Sequence, residues 1–338
     1  MSETGFSSVV SRRRCIRSAL VLGAGLLAGL SLPHKGDAMP ASRVYVYKGT
    51  DPARAVPALL ERFGLEDFRT LSIGLKANAN SADPFPASTS PETLHALVTA
   101  LQGAGCGPIT LAERSGMGTT RDVLDATRIL SVCRELGVSV VDMDELGMDG
   151  YVHYEPVGCS WKQGFCLARV FAEAEAVVQT CCLKTHRFGG HFTMSLKNAV
   201  GAIAKHDPDT RYNYMRELHA SPLQRLLIAE IGLAFRSDLI LMDGRFAFTS
   251  GGPDKGELAA PELMFAASDP VAMDAVGVAV LRLLGTTPEV AEGAIFEQEQ
   301  IHRAARLGLG ATSPAGIELI PVNGEASGMV ERIRKELG

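Results

Sequence analysis

Short apolar runs alternate along the chain with longer stretches in which apolar residues recur every three or four positions. Residues 44–47, 70–76, 108–112, 138–142, 176–180, 239–242, 262–267 and 317–322 read as strands, and the intervening periodic stretches as helices. The clearest helices carry start signals. Ser90-Pro91 precedes Leu94, Leu97, Val98 and Leu101 on one face, Ser221-Pro222 precedes Leu223, Leu226, Leu227, Ile231 and Ala234, and Asp269-Pro270 precedes an apolar run over residues 271–284. Further helices are expected over residues 53–63, 121–136, 289–307 and 327–337. Strands alternating with helices at this spacing predict an α/β fold of βαβ units, with mostly parallel sheet flanked by helices in Rossmann-like layers, as one domain or two coupled lobes.

One stretch breaks the apolar rhythm with reactive side chains: Thr180-Cys-Cys-Leu-Lys-Thr-His-Arg-Phe-Gly-Gly-His-Phe-Thr-Met-Ser-Leu-Lys-Asn198. It follows a buried strand and precedes Leu196, Ala199, Val200 and Ile203 at helical spacing, so residues 184–195 read as a loop at a carboxyl strand end. Open α/β sheets bind ligands at such ends.

Three chemistries fit its residues. Lys184 and Lys197, with the backbone N–H groups of a helix start, could bind an anion; Asn198 could join them, as could Gly116 and Gly118 from a second glycine-bearing strand end over residues 113–120. The competing reading is two glycine turns with lysines on a solvated rim. His186 and His191, with Cys182 and His219, could hold a metal ion. Adjacent Cys181 and Cys182 face opposite sides of a strand, so only one can join such a site without a bend. In an acid–base reading His186 transfers the proton, Lys184 and Lys197 stabilise an oxyanion, and Asp243 orients a histidine.

Two other features stand out. Residues 151–165, rich in aromatics and glycine, read as an insertion that either covers a site or forms a packed loop closed by a Cys159–Cys166 disulfide. Asp274 lies inside an apolar helix beside Val271, Val278 and Leu281, where a carboxylate needs a partner. Lys184, Lys197 and His186 are its expected partners; the alternative is a surface helix with Asp274 in water.

Composition limits the partners. The chain has 338 residues, 46% of them hydrophobic, enough for a large core. Residues 1–38 read as a signal peptide: Arg12 and Arg13 after Ser11 resemble a twin-arginine export signal, followed by a short apolar run. The expected partners are therefore the twin-arginine machinery and an anionic small molecule, in a periplasmic or otherwise exported setting without stable membrane insertion after processing.

Removing those residues takes away five basic and two acidic side chains, leaving 28 basic against 36 acidic, a net charge of about −8. Nucleic acid and anionic membrane are poor partners for such a chain. Six cysteines remain and no C-x-x-C occurs, so spacing shows neither a ferredoxin-type cluster nor a zinc knuckle; the cofactor stays unassigned, with a metal ion favoured over an iron–sulfur cluster.

Lys184-Thr-His186, Ser195-Leu-Lys-Asn198 with Gly201, His219, Asp243-Gly244, Gly252-Pro253 and Ser268-Asp-Pro-Val-Ala-Met-Asp274, in this order, resemble the family known as domain of unknown function 362. The likeness runs over residues 75–285, within a single family domain over residues 39–338. It implies that Lys184, His186, Lys197, Asn198, Asp243, Asp269 and Asp274 form the site or its support. Many members carry an added ferredoxin-like cysteine module, which this chain lacks. Three function classes remain open: an enzyme with a metal or redox cofactor and an anionic substrate, a non-catalytic anion-binding protein, and an assembly factor.

Overall fold

The computed structural model describes residues 41–338. The export signal expected over residues 1–38 lies outside the described residues. A sheet of ten strands organises the chain. They are β1 (Ser42–Lys48), β2 (Ile73–Lys76), β3 (Ile109–Glu113), β4 (Ser139–Asp142), β7 (Ala176–His186), β8 (His191–Thr193), β9 (Leu239–Gly251), β10 (Gly256–Ala259), β11 (Leu263–Ala267) and β12 (Ile317–Pro321), while β5 (Tyr151–Tyr154) and β6 (Phe165–Ala168) form a separate hairpin. The main path runs β12-β1-β11-β9-β7-β2-β3-β4, with β8 on β7 and β10 on β9. Pairing is parallel from β9 through β7, β2 and β3 to β4. It turns antiparallel at β11 and its contacts with β9 and β1. The carboxyl ends of β2, β3, β4 and β7 therefore point the same way. The fold is α/β, mostly parallel, and one continuous sheet replaces the alternative of two sheets in separate lobes.

Alternation along the strands splits the core into two layers. Val177, Cys181, Leu183, Ile240, Met242 and Phe265 face one side, while Ala176, Val178, Leu239, Leu241 and Met264 face the other. Helices Pro52–Phe63, Pro91–Gly103 and Ile129–Glu135 cover the second side, and Pro270–Leu284, Gln224–Ile231, Glu299–Arg306 and Ser327–Leu337 the first. No described helix is long and apolar enough to cross a membrane.

Two of the three start signals act as expected; at Ser221-Pro222 the helix instead runs over Gln224–Ile231, with Leu223 at its cap position and no side-chain cap. Ser90 Oγ accepts from Thr93 N at 3.2 Å, and Asp269 Oδ1 accepts from Val271 N and Ala272 N at 2.8 and 2.9 Å. Three boundaries differ from the periodic reading. The stretch 121–136 is two helices, Thr120–Ala126 and Ile129–Glu135, because Arg128 takes a left-handed conformation (φ 62°) between them. The stretch 289–307 is likewise interrupted between Pro288–Ala291 and Glu299–Arg306. Most consequentially, β7 and β9 continue through the polar residues expected to end them. β9 passes Asp243-Gly244 to Gly251, and β7 reaches His186 before turning back as β8, so much of the expected 184–195 loop is hairpin. A register shift at Cys182/Leu183 lets the two strands stay paired past the polar residues.

The 151–165 segment packs as the β5–β6 hairpin, with Trp161 against Phe165 and Tyr214. Cys159 and Cys166 do not form the disulfide offered by one of the two readings, and all six described cysteines are free. Each thiol has another partner: Cys159 Sγ donates to the Trp161 carbonyl, and Cys166 Sγ contacts Asp207 and Tyr214.

Candidate active site

At the carboxyl ends of β2, β3 and β7 a cavity of about 350 Å³ opens, lined among others by Lys76, Asn78, Asn80, Glu113, Arg114, Lys184, His186, Lys197, Asn198 and His219. Each strand delivers polar residues where its apolar run ends, because side chains beyond the packed layers can meet a ligand instead of core. Lys197 and Asn198 reach the cavity from the short helix Ser195–Asn198.

The cationic side chains are held in different ways. Lys76 forms a buried ion pair with Glu113, its Nζ 2.6 and 2.7 Å from the two carboxylate oxygens. Burial pushes Lys76 down and Glu113 up, and each partner partly offsets the other's shift. Gly201 packs against this pair: a Cβ there would stand 2.8 Å from Lys76 Nζ and 2.9 Å from Glu113 Oε1. Arg114 donates to the carbonyls of Ile203 and Val200, which ties β3 to the segment after the central helix. Lys184 donates to Asn78 Oδ1 at 2.8 Å and to the Ala87 carbonyl. Lys205 pairs with Asp144 at 2.8 Å.

Lys197 differs from these four. It has no hydrogen-bond or ion-pair partner among the described residues. Burial, followed by the charges of Lys184 and Arg114, pushes its amine down to about 7. His186 lies close by. A Cβ on Gly190 would stand 2.9 Å from His186 Nδ1 and 3.0 Å from Lys197 Cε, so both groups border one spot. His186 is 6% exposed, and its buried Nδ1 has no partner. Burial, then Lys197, Lys184 and His219, depress its basicity far below that of an ordinary histidine, so the ring is neutral.

Asn198 is a positioning residue more than a ligand group: its Nδ2 donates to Gln179 Oε1 at 3.0 Å and the Thr180 carbonyl at 3.2 Å, fixing the central helix to β7. Asp274 is fully buried and anchors the same helix from the other side. Its carboxylate accepts from Ser195 N at 2.8 Å, from Ser195 Oγ, from Leu196 N at 3.3 Å and from Gln300 Nε2 at 3.4 Å. Asp274 thus reaches the central stretch as expected, but its partners are the helix-start N–H groups and a hydroxyl, not Lys184, Lys197 or His186. The Asp274 helix comes near enough for this because Gly277 leaves room for the Met194 sulfur, which would lie 2.0 Å from a Cβ at that position.

Lys184, His186, Lys197, Asn198, Gly116 and His219 all line the cavity. Gly118, Asp243, Cys182 and His191 do not. Asp243 does not orient a histidine; it is bound by Arg245, with Nη2 2.9 Å from Oδ2, and by the Thr93 hydroxyl. Cys182 is buried in β7. His191 lines a different cleft, with Arg187, Thr287 and Glu289. The four metal candidates are therefore not gathered, and among the described residues no group of three or more His, Cys, Asp or Glu is placed to hold a metal ion. An iron–sulfur cluster does not fit the cavity either. None of the six described cysteines lines it, and burial raises all six thiols, disfavouring the thiolate that a cluster needs.

Sequence reasoning missed Lys76, Asn80, Glu113 and Arg114 as site residues. The available signal was polarity at the ends of two parallel strands: Lys76-Ala-Asn-Ala-Asn80 after β2 and Glu113-Arg114 after β3.

Fold and site together define an α/β protein with a small cation-lined cavity at the carboxyl edge of a mostly parallel sheet. The chain belongs to the family described as Domain of unknown function (DUF362), whose model matches residues 73–279. That span holds all the cavity residues named above. A search of curated proteins finds no match.

Proposed function

We propose that this protein binds an anionic small molecule, a carboxylate or a phosphate, in the cavity and acts on it by proton transfer through Lys197 and His186. The observation that carries this reading is the charge balance of the lining. Lys76, Arg114, Lys184, Lys197 and Lys205 all contribute to the wall, whereas Glu113 is the one carboxylate among the described lining residues. Glu113 is committed to Lys76 and Asp144 to Lys205. Arg114 meets two backbone carbonyls and the Met215 sulfur, Lys184 meets the Asn78 amide oxygen and a backbone carbonyl, all of them neutral, and Lys197 meets no partner among the described residues. A ligand anion would complete these interactions in a partly desolvated site, where charge-assisted hydrogen bonds are strong. The asparagines beside them supply orientation, and His186, kept neutral, can relay a proton by taking one up at one ring nitrogen as it releases one from the other.

A metal ion is no part of this reading, because among the described residues the donor groups are not gathered for one. The expected export supports the proposal only from the sequence side. Isothermal titration of the full-chain protein with inorganic phosphate and with pyruvate, in the presence of excess chelator, tests it. Binding of at least one anion that is weakened by Lys184→Met and indifferent to the chelator is expected. Heat of binding from neither anion, or binding abolished by chelator alone, would overturn the reading. Binding without turnover of any carboxylate or phosphate ester offered would reduce the protein to an anion-binding one.

A further inference from the structure

Of the five cationic side chains among the described residues that line the cavity, four are committed: Lys76 to Glu113, Lys205 to Asp144, Arg114 to two backbone carbonyls, and Lys184 to Asn78 and Ala87. Lys197 is uncommitted, it borders the cavity, and the unpartnered buried Nδ1 of a neutral imidazole sits against the same spot. A plain anion clamp needs a charged lysine and no imidazole. An amine nucleophile needs the opposite arrangement: a free –NH2, a neighbouring fixed cation that both keeps the amine neutral and holds the substrate's anionic end, and a neutral group that can move protons. Lys197, Lys184 and His186 meet these requirements.

We propose that Lys197 forms an imine with an anionic carbonyl compound of the small 2-oxo acid class, an inference that rests on the anion-binding reading above. The Lys197 Nζ lone pair attacks the carbonyl carbon. As the N–C bond forms, the carbonyl π pair moves to oxygen, which takes up the proton that leaves nitrogen. The resulting carbinolamine loses its hydroxyl with a second nitrogen proton as water, and the C=N bond forms. The balance is amine plus ketone giving imine plus water, with no oxidant or reductant. Lys184 and Arg114 hold the carboxylate, and His186 Nδ1 is the group available to carry the proton. The rim suits a short carbon chain: Met117 and Phe188 line the cavity and are 42% and 50% exposed, and Arg187 lies over the Phe188 ring at 4.3 Å.

Borohydride trapping tests the assignment. Full-chain protein is incubated with pyruvate or with phenylpyruvate, reduced with sodium borohydride, and read by intact mass and peptide mapping, while titration calorimetry measures binding of the same two compounds and of phosphate. The expected result is one reduced adduct per chain on the Lys197 peptide. Its yield should rise with pH as the amine loses its proton, and it should be absent in Lys197→Met and Lys197→Arg, of which the arginine variant still binds the acid. An oxo acid that binds but leaves no adduct on Lys197 overturns the imine and spares the anion site. So does an adduct that persists in both variants. Phosphate binding with no binding of either oxo acid overturns the substrate class, and failure of all three to bind overturns the parent reading as well. Should the variants not fold, the peptide map of the unaltered protein decides alone.

Discussion

Replacing Asp274 by asparagine separates the two things this carboxylate does. It is fully buried, and burial pushes it up from 3.8 to about 7 despite the four hydrogen bonds it accepts from Ser195, Leu196 and Gln300. Asparagine keeps one acceptor oxygen for Ser195 but turns an NH2 group toward another donor, a loss of about 1–3 kcal/mol at a buried site. The charge acts in the opposite sense. Below about pH 4 the folded and unfolded chains both hold the Asp274 proton. Between about pH 4 and pH 7 the unfolded chain has released it and the folded chain has not, so stability falls as pH rises through this window and levels off above it. A displacement from 3.8 to about 7 corresponds to roughly 4 kcal/mol as an upper bound. The wild-type protein should therefore be the more stable of the two at about pH 5 and should lose most or all of that advantage by about pH 8. Urea denaturation of both proteins across this range gives the difference, from which groups common to both cancel. A difference that stays flat with pH would refute the reasoning, because Asp274 would then be ionised throughout and comfortably paired.

Other substitutions probe the rest of the framework. Glu113→Gln leaves Lys76 buried without a counter-charge and should cost about 3–5 kcal/mol, measured by the same denaturation. Gly277→Ala presses a methyl group onto Met194 and should cost about 1–3 kcal/mol and lower the melting temperature, with no change in the pH profile. Anion binding should weaken as pH rises through about 7, where Lys197 loses its charge, and calorimetry on Lys197→Met should show that component gone. Changing Arg12 and Arg13 together to lysine should block translocation of a folded reporter fused to residues 1–38, read by fractionation; continued transport would point to the general secretory route.

The α/β class was legible in the chain because local periodicity reports which faces are buried. Ser90 and Asp269 announced their helices because a cap is a contact over two or three residues. The central stretch could also be located from sequence, since Lys184, His186, Lys197 and Asn198 lie in one strand-to-helix corner and reach the cavity together. What tertiary structure decided was partnership. Nothing in the spacing of residues 76, 113 and 201 says that a lysine, a glutamate and a glycine meet, because parallel pairing of β2 and β3 brings the first two together and the turn after the central helix sets Gly201 against them. Asp243 reads like a catalytic carboxylate in sequence, yet Arg245 and Thr93 occupy it, the latter 150 positions away. The four metal candidates looked like a set because Cys, His and loop glycines lay close in the chain. β7 instead buries Cys182, and the hairpin places His191 on another cleft. Sequence fixes the local conformational preferences that build each strand end. Which charges find counter-charges there, and which one is left free, depends on contacts between segments far apart in the chain, and so only the folded sheet singles out Lys197.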